Sequence, residues 1–531
     1  MPRLRRLLAL TLLLAPVQRT LAAPSVEEKA AQLIMIAADS ADVAAARGAA
    51  RAGLGGVQLQ WGSYSLEDTR ALTASLQEAA AASAEGTPLF ISVDYEGGSV
   101  YVPTTLGLLE LPTNMTLGAA ADENDTATLF YLAGKELRRA GINMALGPVL
   151  DVNTNPKNPI IGIRSLGSDP LEAARLGSAI INGLKAAGIV AVAKHFPGHG
   201  AARQDTHKTM PQIDISTSEL AVTHLVPFRA AIRQGVPAVM TVHILFPALD
   251  GRNPATLSSA VLTGLLKGDM GFGGLVMTDS LDMRAITSRT TIAKAAAAAL
   301  KAGADVLLIG KGDFRAAVKE ISAQVRNGRI SAARLDDAYS RVLAAKRAAG
   351  LMDGQEKPSP FDKAYLEITG ELSRRALTAA RGAGLLPLDK AKRTAVIIFA
   401  PPRFADNSIH LYRELLDKGY DASQYLFGIG PSDGERAKAL AAAAAAEQLV
   451  IGSFQWAGAQ NAAQRATIKA LLASGKPAVL LSLMNPYDIS GYPEAACVLA
   501  LYGMTAPSMA AAGEALTGAL TPSGHLPVAL P

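Results

Sequence analysis

Eight short apolar runs, at 32–37, 57–61, 89–94, 142–151, 190–195, 238–243, 275–279 and 305–310, punctuate the first three-fifths of this chain. Between them lie longer stretches with apolar residues at helical spacing, at 66–84, 126–140, 171–187, 219–234 and 292–302. Gly141, Gly188, Gly235 and Gly303 stand where a left-handed helix cap needs glycine. Near-continuous apolar strands alternating with helices specify a parallel sheet covered on both faces. Eight such units in this length predict a (β/α)8 barrel of the TIM type.

At 531 residues the chain exceeds one ordinary core, so a second domain is expected. Helical segments at 315–326 and 332–349 lead to Gly350, and the polar stretch Asp353-Gly354-Gln355-Glu356-Lys357-Pro358-Ser359-Pro360 reads as a linker. A helix at 371–383 follows, with apolar runs at 395–400, 449–454, 478–483 and 497–502. These predict a smaller, doubly wound α/β domain. No G-x-G-x-x-G follows its first strand, which gives a dinucleotide fold little support. The expected division is a signal peptide over 1–22, the barrel over 23–352, a linker over 353–370 and the second domain over 371–531.

The signal peptide rests on the basic start Met1-Pro2-Arg3-Leu4-Arg5-Arg6, an apolar segment from Leu7 to Val17, and small residues ending at Ala22-Ala23. The apolar run is short for a membrane span, so export to the periplasm or medium is expected, without a membrane anchor. The single cysteine, Cys497, lies in an apolar run and reads as a buried small hydrophobe. Hydrophobic residues make up 49% and charged residues 18% of the chain, which marks it as globular. The net charge of +5 is not gathered into a basic stripe with interleaved aromatics, which argues against nucleic-acid binding.

Polar residues fall at the strand ends. Asp94, Asp151, Lys194 with His195, His243 and Asp279 each follow an apolar run directly, and a barrel brings such ends to one mouth. Any one of them could be a loop hydrogen-bonder; together they favour a common site. Lys194-His195-Phe196-Pro197-Gly198-His199-Gly200 and Asp205-Thr206-His207 place three of the seven histidines in one loop. Asp205 and His207, two apart in an extended loop, can point to one side. The carboxylate would then fix the ring tautomer and leave the other nitrogen for proton transfer. Asp279 offers a carboxylate able to attack an electrophilic carbon. A metal site competes for His195, His199 and His207, but Phe-Pro-Gly prevents the helical presentation of H-E-x-x-H and no glutamate fills its slot. No metal or cofactor is expected. A purely structural loop is the remaining account of these histidines.

Several further segments carry a resemblance. They are Val93-Asp94-Tyr95-Glu96-Gly97-Gly98, Leu111-Pro112-Thr113-Asn114-Met115, Gly147-Pro148-Val149-Leu150-Asp151-Val152-Asn153, Ile161-Gly162-Ile163-Arg164-Ser165-Leu166-Gly167, Thr278-Asp279-Ser280-Leu281-Asp282-Met283 and Ala302-Gly303-Ala304-Asp305. With the Lys194–His207 loop, they make the chain resemble the β-N-acetylglucosaminidases of glycoside hydrolase family 3 from about Glu27 to the carboxyl terminus. The resemblance implies a flavodoxin-like second domain, with Asp279 as nucleophile and His207 as acid/base partnered by Asp205. It also implies that Asp94, Arg164, Lys194 and His195 grip the hydroxyls of the first sugar. For Arg164 a structural ion pair, and for Lys194 a charge orienting the nucleophile, are the other readings. Ser99 replaces a usual arginine and Tyr95 a common glutamine, changes that could remodel the sugar pocket or contacts beyond it.

The implied activity is a retaining exo-β-N-acetylglucosaminidase. It would act on peptidoglycan fragments or chitooligosaccharides through a glycosyl-Asp279 intermediate, as a monomer. The alternatives are a β-N-acetylglucosaminide phosphorylase, another family 3 β-glycosidase, or a non-catalytic glycan-binding protein. Intact Asp205, His207 and Asp279 weigh against the last.

Overall fold

The computed structural model describes residues 23–39, 42–60, 64–98, 107–353, 360–456 and 458–531. The expected signal peptide, the linker residues 354–359, Trp61 at the end of the expected second strand, and Ser99 lie outside the described residues.

All eight expected runs in the first part form strands: β1 (Ile34–Ala38), β2 (Gly56–Leu59), β3 (Phe90–Val93), β4 (Met144–Ala145), β5 (Val190–Phe196), β6 (Ala238–Thr241), β7 (Leu275–Met277) and β8 (Leu307–Leu308). From β1 to β7 each pairs in parallel with its neighbour in sequence, and β1 pairs with β8. A parallel bridge between Met277 and Val306 joins the remaining edges and closes the ring. Every residue of β5 is buried, as a barrel strand covered on both faces requires. The 142–151 run is a strand only over β4. Pro148 cannot donate to a ladder, and the segment beyond it becomes a loop at the mouth.

The helices form where their caps permit. Ser65 and Asp68 make a reciprocal capping box at the start of the helix Leu66–Ala81. The helices Glu123–Arg139 and Pro170–Ala186 approach so closely that a Cβ on Gly183 would lie 2.3 Å from the Ala127 carbonyl oxygen. The expected helix at 219–234 is divided into the turn Thr217–Glu219, a π-helical stretch Leu220–His224 and the α-helix Leu225–Arg233.

The second sheet has the order β11-β10-β12-β13-β14-β9, from β9 (Thr378–Arg381), β10 (Thr394–Phe399), β11 (Ala422–Phe427), β12 (Gln448–Ser453), β13 (Ala478–Ser482) and β14 (Cys497–Ala500). Leaving out β9, this is the flavodoxin-like 2-1-3-4-5 order, all parallel. Cys497 is buried within β14.

The helix expected at 371–383 is corrected. It runs over Ala364–Ala376, and residues 378–381 pair antiparallel with β14 as β9. Alanine-rich sequence favours a helix there, but the edge of β14 offers hydrogen-bond partners, and tertiary pairing overrides propensity. The helix also crosses the expected boundary at 370. Tyr365 and Leu372 belong to the barrel's core, whereas Ala376 and Leu377 belong to the second domain's core.

Candidate active site

The mouth of the barrel holds a cavity of about 220 Å3. Asp94, Arg164, Lys194, His195, His207 and Asp279, all singled out in the sequence, line it together. Asp205 does not line it but stands behind His207.

Asp94 leaves the end of β3 and accepts hydrogen bonds from Gln58 Nε2 at 2.8 Å and Lys194 Nζ at 2.7 Å. Extended backbone repeats every two residues, so Glu96 points to the same side. Glu96 receives Lys194 Nζ at 2.6 Å, Arg164 Nε at 2.6 Å and Arg164 Nη2 at 2.8 Å. Between them, Tyr95 turns away into the core and its hydroxyl donates to the Leu109 carbonyl at 3.2 Å. Tyr95 therefore does not reshape the cavity by direct contact. The Glu96, Lys194 and Arg164 side chains are 1%, 2% and 7% exposed, so their charges interact with little screening. Burial opposes ionisation of Glu96, but Arg164 and Lys194 prevail and hold its carboxyl far below the usual carboxylate range. Burial likewise opposes the charge on Lys194, and Asp94 and Glu96 raise its pKa above the ordinary lysine value. Arg164 is thus both a cavity wall and one side of a buried bidentate ion pair.

His195 is the penultimate residue of β5, with Nδ1 2.7 Å from Asp151 Oδ2. The other Asp151 oxygen accepts the His199 N–H at 2.6 Å. Burial of Asp151 is outweighed by His195 and His199, so its carboxyl stays below its ordinary value. A carboxylate at Nδ1 requires a proton there and leaves His195 Nε2 as the nitrogen available to the cavity. His199 is fully buried, which lowers its pKa to about 4 and keeps it neutral.

Asp279 follows β7 by two residues and accepts the Ser280 N–H at 2.7 Å. Burial pushes its carboxyl upward, but His243, His195, the Ser280 N–H and Lys194 together hold it below the ordinary value. His243 is itself lowered by burial. Its Nε2 lies 2.9 Å from the Ser280 carbonyl oxygen, a contact that needs Nε2–H, with Nδ1 facing the Thr256 hydroxyl at 2.8 Å. His243 thereby orients the Asp279–Ser280 segment, and Lys194 adds positive charge near the Asp279 carboxylate.

His207 presents its ring at the rim, 49% exposed, with Nδ1 2.8 Å from Asp205 Oδ1. The same oxygen accepts the His207 N–H at 2.9 Å, so one carboxylate fixes both backbone and ring. Burial raises the Asp205 carboxyl, and these two His207 bonds more than reverse it.

Glu96 and Gln58 were not among the residues expected at the mouth, and Asp151 and His243 were expected there without a specific role. Glu96 carried a signal in its spacing of two from Asp94, and Gln58 in being polar inside an apolar run. Asp151 and His243 stood at strand ends, but their partners, His195 and His199 for the one and Thr256 and Ser280 for the other, are remote in sequence.

A closed barrel whose mouth gathers ionised carboxylates, buried cations and a carboxylate-fixed imidazole is the architecture of an enzyme acting on a hydroxyl-rich ligand. Residues 25–345 match the N-terminal domain of glycosyl hydrolase family 3. A solved family 3 β-N-acetylglucosaminidase from Paenibacillus sp. str. FPU-7 is 33% identical, with a TM-score of 0.89 over 96% of this chain and 99% of that one. β-Hexosaminidase A of Pseudoalteromonas piscicida is 28% identical over 519 residues, 86% of each chain. A β-N-acetylglucosaminidase/β-glucosidase of Cellulomonas fimi is 28% identical over 523 residues, 90% of this chain and 88% of its own. The chain belongs to glycosyl hydrolase family 3 and is a glycoside hydrolase.

Proposed function

We propose that this enzyme is an exported, retaining exo-β-N-acetylglucosaminidase that acts as a monomer on peptidoglycan fragments or chitooligosaccharides. The observation that carries the reading is that His207, backed by Asp205, and the ionised Asp279 line one cavity sized for a single sugar ring. The names of the three relatives support the sugar.

In this mechanism an Asp279 carboxylate oxygen attacks the anomeric carbon while His207 Nε2–H protonates the departing glycosidic oxygen. The sugar is then held as an ester on Asp279. Nε2 next removes a proton from water, whose oxygen attacks the same carbon and frees Asp279. Two inversions leave the β configuration. The Asp205 carboxylate engages Nδ1 of His207 and leaves only Nε2 for the transfer. Asp94, His195, Lys194 and Arg164 hold the hydroxyls.

Kinetics on an aryl β-N-acetylglucosaminide test this. Asp279→Ala and His207→Ala each lower kcat by about 1,000-fold or more, with and without phosphate, and free sugar is the product in both conditions. Near-normal turnover by Asp279→Ala refutes the mechanism, and a sugar phosphate as product refutes hydrolysis.

A further inference from the structure

The second domain supplies no residue to the wall of the cavity among those described. It packs instead on the barrel helix Asn114–Ala120 and its flanks and on a barrel loop, residues 151–168, which carries Asp151 and Arg164. On the 3-10 turn Gly162–Arg164, adjacent side chains go opposite ways. Ile163 is 2% exposed and belongs to the second domain's apolar core together with Met115 and Ala119. Arg164 turns into the barrel mouth and grips Glu96. Gly162 has a φ of +44°, and a Cβ there would lie 2.8 Å from Asn485 Nδ2 and 3.4 Å from the Trp456 carbonyl oxygen. The second domain is therefore seated directly on the turn.

A second contact reaches Asp151. Asn153 Nδ2 donates to the Tyr487 hydroxyl at 2.9 Å, with both residues buried. Tyr487 lies on the segment Pro486–Gly491 after β13, where the neighbouring Asp488 is bound by the Ser453 and Ser482 hydroxyls. The two halves of the barrel loop are tied together by Ser165 Oγ donating to the Asp151 carbonyl at 2.6 Å and by the Asn153 N–H donating to the Gly167 carbonyl at 2.9 Å. The Ser168 N–H then donates to the Pro527 carbonyl at 2.9 Å.

We propose that Ile163 and Tyr487 are positioning residues through which the second domain sets the placement of Arg164 and Asp151, and so the sugar grip of a mouth it does not line. Displacing Ile163 moves the adjoining backbone of Arg164, and with it Glu96 and Lys194. Loss of the Tyr487 acceptor frees Asn153, two residues from the carboxylate that orients His195. The proposal rests on the reading that this charged group holds the substrate.

Kinetics on an aryl β-N-acetylglucosaminide, with melting temperatures, separate the two layers. Ile163→Ala raises KM by about 10-fold or more with kcat changed by less than about 3-fold, because the grip binds ground and transition states alike. Ile163→Val recovers most of the loss. Tyr487→Phe, which keeps the ring, raises KM by about 3-fold or more. Arg164→Lys is the control. A wild-type KM in Arg164→Lys refutes the reading of the charged group itself. Impaired Arg164→Lys with wild-type KM in Tyr487→Phe and in any folded Ile163→Ala, whatever their melting temperatures, overturns the positioning proposal alone.

Discussion

Glu96 is an anion shared by two buried cations, Lys194 and Arg164. Removing its charge while keeping its shape would take from Arg164 its bidentate carboxylate partner, and from Lys194 one of its two carboxylates among the described residues. Breaking such a buried pair costs about 3–5 kcal/mol, because an uncompensated charge remains. Glu96→Gln is therefore expected to lower stability by that order in urea unfolding and to raise KM on an aryl substrate more than it lowers kcat. Unchanged stability would mean that the ion pairs are incidental. The case also shows what a sequence conveys at this scale. Asp94, Lys194, His195 and Asp279 were legible because each ends an apolar run, and a barrel sends such ends to one place. His207 was legible through Asp205, two residues away. For Arg164 a sugar grip and a structural ion pair stood as alternatives, but its partner was not legible, since Glu96 is far off in sequence and only the fold brings them together.

At the scale of elements, two buried ionisable groups give opposite pH signatures. Lys346, on the helix Ala332–Ala348, is fully buried over the Phe90 ring with its ammonium bonded to Gln32 Oε1 at 2.9 Å, and burial lowers its pKa from 10.5 to about 7. Between those values the unfolded chain keeps a proton that the folded chain has lost, so stability rises with pH. Burial raises Asp488, on the segment after β13, from 3.8 to about 7 despite two serine donors. There the folded chain keeps the extra proton, so stability falls as pH rises through that window. Urea unfolding across pH 4 to 10 checks both: Lys346→Met removes the upper rise and Asp488→Asn the lower fall. Curves parallel to wild type would contradict them. Element boundaries were the least legible part of the sequence. Strand β11 has no continuous apolar run, because an edge strand buries only part of its residues. Residues 378–381 have helical composition yet pair as β9, since the edge of β14 decides their conformation.

For the whole molecule, both architectures could be read from the alternation of apolar runs and helices, because burial on two faces leaves a strong signature in each strand. The relation between the domains could not. The helix Ala364–Ala376 serves both cores, and Ile163 of the barrel is buried in the second domain. Each is an ordinary apolar residue in sequence, and only packing reveals which core it enters. Whether Asp279 forms the bond to the sugar can be read from incubation with a slow-turnover fluorinated N-acetylglucosaminyl fluoride. Incubation followed by peptide mass analysis is predicted to find one sugar on the peptide carrying Asp279, released on dilution into acceptor. A label on another residue, or inactivation with no covalent sugar, would contradict it.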